Sequence, residues 1–276
     1  MSTRTEIVYD SALKQNPALE ELREIWRYRD LLELLVVTSI KSRYKRSTLG
    51  IIWTLLNPLL NTIVLSIVFS FFFSRFSTEN YPIYILSGLL LWNFFSQTTL
   101  HSMNKLIWGS SLIKRIYVPR TIFAVSVVGN GLVNLLLGFI PLVLVMLVTR
   151  SPFTLALLSL PLAILLISMF TLGLSLFLST VSVYFVDLVD MFGILLSIWF
   201  YLTPIIYPES IVPEPFIILL KLNPLYYFLE IFRVPILAGQ WPSSTAIIIS
   251  TVLAIFVLVL GWVTFTRRAN EFAYHI

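Results

Sequence analysis

Four cations stand within six residues of this 276-residue chain: Lys41, Arg43, Lys45 and Arg46. Such side chains donate charge-assisted hydrogen bonds to phosphate oxygens, so Arg43, Lys45 and Arg46 are candidates for capturing a diphosphate. The same cluster equally suits anionic lipid headgroups and the setting of membrane topology. Little else offers reactive chemistry. There is no cysteine, hence no disulfide, thiol nucleophile or cysteine-bound metal. With only His101 and His275, a histidine metal site is not expected. No GxxxxGK[ST] phosphate loop, HExxH helix or Ser/His/Asp arrangement stands out. The expectation is a chain with no catalytic residues, metal or cofactor of its own.

The element that must position the cluster follows it directly. Residues 51–73 carry no charge. At about 1.5 Å per residue they can cross a hydrocarbon core of about 30 Å. Each cation costs about 2.5–3.5 kcal/mol at a helix centre, so the junction marks a membrane surface, and Lys and Arg assign it to the cytoplasmic side. Composition agrees: 58% of residues are hydrophobic and 12% charged, with a mean hydropathy of +0.89, against about 25% charged in soluble domains. A net charge of +5 would point to nucleic acid in a soluble protein. Here the excess lies in membrane flanks, and no nucleic-acid partner is expected. Residues 1–30 show no secretory-signal pattern.

Residues 1–48 read as a cytoplasmic tail followed by amphipathic helical structure over about 17–47. That structure lies along the membrane interface or, alternatively, forms a soluble helical hairpin. Asn16-Pro17 supplies the helix start. Residues 49–276 read as an all-α polytopic domain of six transmembrane helices. These are expected at about 51–73 (kinked by Pro58), 82–100, 119–148, 153–183, 188–206 and 245–265. Asn130, Gly131, Asn134 and Gly138 share one face of the third, for close helix packing or for lining a pore. A polar loop is expected over 101–118. Residues 207–242 contain Pro208, Pro213, Pro215, Pro224, Pro235 and Pro242. The apolar pieces between them are too short to span, which reads as a re-entrant helical hairpin facing outward.

Charge asymmetry orients the whole. Six spans put fifteen Lys and Arg on the side of the termini and the 101–118 loop and four on the other, together the 19 of the chain. Both termini are therefore expected in the cytoplasm of a multi-pass protein of the cytoplasmic (inner) membrane. The spans hold almost no ionisable residues, so no intramembrane proton or ion relay is evident. If the protein moves anything uphill, the energy comes from a separate subunit.

The run SIKSRYKRSTLGIIWTLLNPLLN (39–61), continuing to IVFSFFFS (67–74), resembles the start of the permease subunit of type-2 ABC exporters of polysaccharides, the exporters of O-antigen, capsule and teichoic acid. SSLIKRIYVPR (110–120) is similar to that family's loop between the second and third spans. YFVDLVD (184–190) is similar to its turn after the fourth, except that Val186 stands where the family usually has Arg before Asp187. LNPLYYFLEIFRVPILAG (222–239) resembles its extracellular hairpin. The resemblance implies a homodimer with two copies of an ABC ATPase subunit, which would hold ATP and Mg. The interfacial helix and the 101–118 loop would dock on that ATPase, and the cargo would be a glycan on a polyprenyl diphosphate or a related lipid-linked polymer.

In this light Lys114, Arg115 and Asp187 are candidates for ATPase coupling, or plain surface charge. Trp92, Phe94, Phe95, Trp199, Phe200 and Tyr201 are candidates for lining a glycan channel, or for packing and interfacial anchoring. Tyr226, Tyr227, Glu230 and Arg233 are candidates for an outer gate, with Glu230 and Arg233 spaced to pair. Two other readings stay open: the same fold exporting a drug or lipid, and a membrane-embedded lipid or sugar transferase.

Overall fold

A computed structural model describes residues 17–45, 49–50, 52–73, 80–108, 119–269 and 272. These form α1 (Pro17–Arg27), α2 (Arg29–Tyr44), α3 (Ile52–Phe73), α4 (Tyr81–Trp108), α5 (Thr121–Val148), α6 (Leu160–Tyr184), α7 (Leu188–Leu202), α8 (Glu214–Leu222), α9 (Pro224–Leu237) and α10 (Ser244–Arg268). No strand occurs among the described residues, so the all-α expectation holds there.

Among the described residues four helices are long and apolar enough to cross a membrane: α3, α5, α6 with the short helical turn Leu155–Ser159 before it, and α10. The α8–α9 pair, bent by 90°, would be a fifth if taken as one span. Two expected boundaries shift. The second stretch does not give way to a loop at 101 but stays helical to Trp108, because Met103 and Leu106 remain buried and hold the extra turns in place. The fifth ends at Leu202 rather than 206. Pro204 supplies no N–H, and the chain leaves the helix at Thr203.

Local chemistry explains the other ends. α5 finishes in a turn in which Arg150 takes a left-handed φ of 54°. Ser151 N–H then reaches the Met146 carbonyl at 3.0 Å and Arg150 N–H that of Leu147 at 3.3 Å, the double closure that satisfies orphan carbonyls. Asn80, also left-handed, donates its amide to Ser151 Oγ at 3.2 Å and ties this turn to the start of α4. Ser243 caps α10 by accepting from Ala246 N–H at 3.1 Å.

α4 is the central helix, packed by α5, α6 and α9 and flanked by α3 and α7. Ile83, Ile85, Leu86 and Phe95 are fully enclosed. α6 and α10 meet backbone to backbone: a Cβ on Gly261 would stand 1.9 Å from the Gly173 carbonyl oxygen. α3 and α7, by contrast, present wide apolar faces, including Ile63, Val64 and Ile67 on α3 and Met191, Ile194 and Ile198 on α7.

Candidate functional site

α2 lies along the first half of α5. Val36 packs on Gly129, Asn130 Nδ2 donates to Ser39 Oγ at 2.6 Å, and Arg43 Nη1 donates to Asn134 Oδ1 at 3.3 Å. On another side α4 runs antiparallel to α5. Lys105 Nζ donates to Ser126 Oγ at 3.1 Å, while Phe94 and Thr98 close on Gly131 and Leu90 on Gly138. A Cβ would come within 2.2 Å of Thr98 Oγ1 at Gly131 and within 2.3 Å of Leu90 Cδ2 at Gly138. The small-and-amide face of α5 therefore divides its work. The glycines let α4 approach, and the asparagines face the space between α2, α3 and α4.

That space is a cleft of about 730 Å³. It runs from Val127 to Gly138, eleven residues of α5 or about 17 Å at 1.5 Å per residue. Carboxamides line it: Asn57 of α3, Asn93, Gln97 and Asn104 of α4, Asn130 and Asn134 of α5. Arg43, His101 and Lys105 contribute cations or a titratable ring, Trp53 an indole face, and Pro58 part of the α3 wall. Among the described residues no Asp or Glu lines it. Residues 81–100 of α4 carry no charge, and His101 and Lys105 stand in its last two turns, beyond that stretch. There, burial draws the Lys105 ammonium below its ordinary pKa. Burial first, and then Arg43 and Lys105, lower that of His101.

A second, shallower groove of about 340 Å³ runs between α4 and α7, lined by Trp92, Ser96, Gln97, Leu100, Gly193, Leu196, Ser197, Phe200 and Tyr201. Gln97 borders both spaces.

The six candidate channel aromatics separate into two groups. Phe94 and Phe95 are buried, and Phe95 sits edge-on to Trp199 at 5.3 Å and beside Phe170 at 6.0 Å. Trp199 itself donates Nε1–H to Asn223 Oδ1 at 2.8 Å. Trp92, Phe200 and Tyr201 border the α4–α7 groove, with Trp92 edge-on to Phe200 at 5.4 Å and Tyr201 69% exposed.

The described chain matches the ABC-2 type transporter family over residues 30–237. It belongs to that family. The match covers α2 through α9, hence both walls of the cleft and the bent helix pair. The transporter is 30% identical over 255 residues to the O-antigen export system permease protein RfbA of Myxococcus xanthus, covering 91% of this chain and 97% of that one. It is similar to two proteins of the same name from Klebsiella pneumoniae. One is 30% identical over 199 residues (71% of this chain, 76% of the relative), the other 28% over 251 residues (88% and 94%).

At the bend of this ABC-2 transporter, Asn223 uses its whole hydrogen-bonding capacity. Its Oδ1 accepts from Trp199 Nε1 and from Leu225 N–H at 3.0 Å; its Nδ2 donates to Thr203 Oγ1 at 2.8 Å and to the Leu202 carbonyl at 3.2 Å. Tyr226 donates to Glu209 Oε2 at 2.7 Å, and Tyr227 to the Lys221 carbonyl at 2.9 Å. Glu230 and Arg233 find other partners than each other. Glu230 accepts from Ser243 Oγ at 2.8 Å, while the buried Arg233 donates to the carbonyls of Pro204 and Ile205. Burial of the guanidinium decides this, since Arg233 turns into the core and Glu230 towards the α10 cap.

Lys45 is exposed and does not line the cleft. Asp187 is exposed at the start of α7, beside exposed Val186. Arg46, Lys114 and Arg115 lie outside the described residues. The transporter's Asn57, Asn93, Gln97, His101 and Asn104 escaped the sequence reading as one site. The available signal was Asn93 and Gln97, one turn apart inside a charge-free run. Their convergence with α2 and α5 needs the fold.

Proposed function

We propose that the chain is the transmembrane subunit of an ATP-driven exporter moving a lipid-linked polysaccharide out of the cytoplasm across the inner membrane. The observation that carries this is the cleft: carboxamides, cations and an indole converge there, with no carboxylate among the described residues. Cations of this kind bind phosphate by charge-assisted hydrogen bonds. Carboxamides both donate and accept, as sugar hydroxyls require. A diphosphate head would be received by Arg43, with Lys45 and Arg46 at the entrance. The names of the relatives, O-antigen export permeases, point to the same cargo class. A cleft for a hydrophobic drug would be lined by few polar residues, whereas twelve of the 21 described residues lining this one carry polar side chains.

In this reading α4 and α7 complete a six-span set with the four apolar helices, both termini are cytoplasmic, and α1–α2 rest at the cytoplasmic interface among membrane lipids. The α8–α9 pair is an outward re-entrant hairpin serving as outer gate. A second copy completes the channel against the exposed faces of α3 and α7, with Trp92, Phe200 and Tyr201 on its wall. Two ABC ATPase subunits supply ATP and Mg and couple through Asp187, Lys114 and Arg115.

The test is reconstitution of the chain with its ATPase subunit in vesicles. ATPase activity is compared with no addition, with a polyprenyl diphosphate, and with the lipid-linked polysaccharide extracted from the native cells. Stimulation by the last, with transfer of the polymer across the vesicle membrane, is expected. Stimulation by amphipathic drugs and none by either lipid would overturn the reading.

A further inference from the structure

α4 carries two carboxamides that the described chain leaves unused. Asn93 lies twelve residues from the Tyr81 end of α4 and fifteen from the Trp108 end, and Gln97 follows one turn later on the same face. Among the described residues neither side chain has a hydrogen-bond partner, whereas Ser96, Ser197 and Asn104 nearby are committed. Ser96 Oγ donates to the Trp92 carbonyl, Ser197 Oγ to that of Gly193, and Asn104 Nδ2 to that of Leu100. A free amide at mid-helix in a membrane is expensive against hydrocarbon. It is tolerated where it meets water, a ligand or another helix. Both residues border the cleft, and Gln97 alone also borders the α4–α7 groove. The cleft holds cations and the groove holds Trp92, Phe200 and Tyr201.

We infer that Asn93 and Gln97 form the hydrogen-bonding step over which a neutral, hydroxyl-rich chain passes from the cationic cleft to the aromatic groove. The inference rests on the glycan-export reading and names the two residues that select the polymer rather than its phosphate. Amides suit that work. They donate and accept, so they follow hydroxyls of either orientation. Being uncharged, they hold each hydroxyl loosely enough to release it, which passage demands. Arg43 marks the cleft as the place where the anionic head rests, and the polymer behind it has Gln97 as its bridge to the rings of Trp92 and Tyr201.

The test has two arms in the native cells with the complete exporter. The first exploits the absence of cysteine from the chain. Gln97→Cys is treated with a charged maleimide in inverted membrane vesicles beside Leu165→Cys, which lies on the exposed apolar face of α6. Labelling of position 97 and not of 165 is expected; an unlabelled position 97 overturns the inference, and this arm stands even where a leucine variant fails to assemble. The second arm measures surface polysaccharide with Asn93→Leu plus Gln97→Leu, and with Gln97→Asn. The leucine pair should lower surface polymer by about tenfold, the scale of one or two lost neutral hydrogen bonds. Polymer should then accumulate inside, stimulation by polyprenyl diphosphate should persist, and Gln97→Asn should retain most export. Export within about twofold of the parent, or a leucine pair whose only defect is dissociation of the two copies on native electrophoresis, overturns it. Unchanged surface polymer after deletion of the whole chain overturns the export reading itself, and this one with it.

Discussion

The Arg233 guanidinium stacks on the Tyr84 ring, 3.8 Å from its centroid. From there Nη1 donates to the Pro204 carbonyl at 2.8 Å and Nη2 to that of Ile205 at 3.3 Å. Tyr84 Oη donates to the Pro204 and Tyr207 carbonyls, and Tyr81 Oη to that of Ile206. Of the five residues after α7, only Thr203 has its carbonyl satisfied within the stretch, by Ile205 N–H at 2.7 Å; one cation with two phenols serves the other four. Gly88 makes the room, since a Cβ there would meet Arg233 Nη2 at 2.4 Å. Arg233→Met is therefore expected to destabilise the protein by about 1–3 kcal/mol. Arg233→Lys should not rescue it, because a single ammonium cannot lie flat on a ring and reach two carbonyls. Thermal unfolding in detergent measures this, and an unchanged melting temperature for both variants would refute it.

Gly261→Ala is expected to loosen or abolish the α6–α10 contact. The added carbon would meet backbone, which cannot swing aside as a side chain can. Overpacking typically costs about 1–3 kcal/mol. Gly193→Ala on α7 meets nothing within 4 Å and should be neutral or gain about 0.5–1 kcal/mol from helix propensity. Melting temperatures of the two variants should move in opposite directions or leave only Gly261→Ala lowered.

Asn223→Asp preserves shape but removes both side-chain donors at the bend. The Leu202 carbonyl then loses its donor, and the buried Thr203 hydroxyl keeps only its bond to the Trp199 carbonyl, at a cost of about 1–3 kcal/mol. Proteolysis of intact cells should cut the 203–223 region faster in this variant than in the parent; equal rates would show that the 90° bend is held by other contacts.

Arg43→Gln should reduce stimulation of the ATPase by a polyprenyl diphosphate by about tenfold or more, the scale of one hydrogen bond to a charged group. Membrane insertion should be unaffected, because Lys41 and Lys45 retain the positive flank. Full stimulation would leave Arg43 a topological and packing residue that only orders Asn134.

Asp187→Lys reverses an exposed charge at the start of α7 and should lower the amount of ATPase subunit recovered with the tagged chain. Unaltered recovery would assign Asp187 to the surface alone.

Periodicity and charge alone were enough for the helical class, the places of the apolar helices and the broken character of the segment around Asn223-Pro224, because each rests on neighbours in the chain. Prolines remove N–H groups wherever they stand, and a charge-free run of twenty residues has few other fates. The reach of α4 to Trp108 was not legible, since Met103 and Leu106 prolong it by packing on distant residues. Nor was the partner of Arg233: the spacing to Glu230 favours a pair on the helix surface, and only burial against Tyr84 and the 204–205 carbonyls decides otherwise. The cationic stretch at Lys41–Arg46 announces itself by composition, but the carboxamides that stand opposite Arg43 come from α3, α4 and α5. Amino-acid order determined which groups this protein owns and which segments shun water. Tertiary packing alone decided that amides some forty residues apart face one cleft, because that depends on which helix faces meet, and Gly131 and Gly138 settle it by admitting α4.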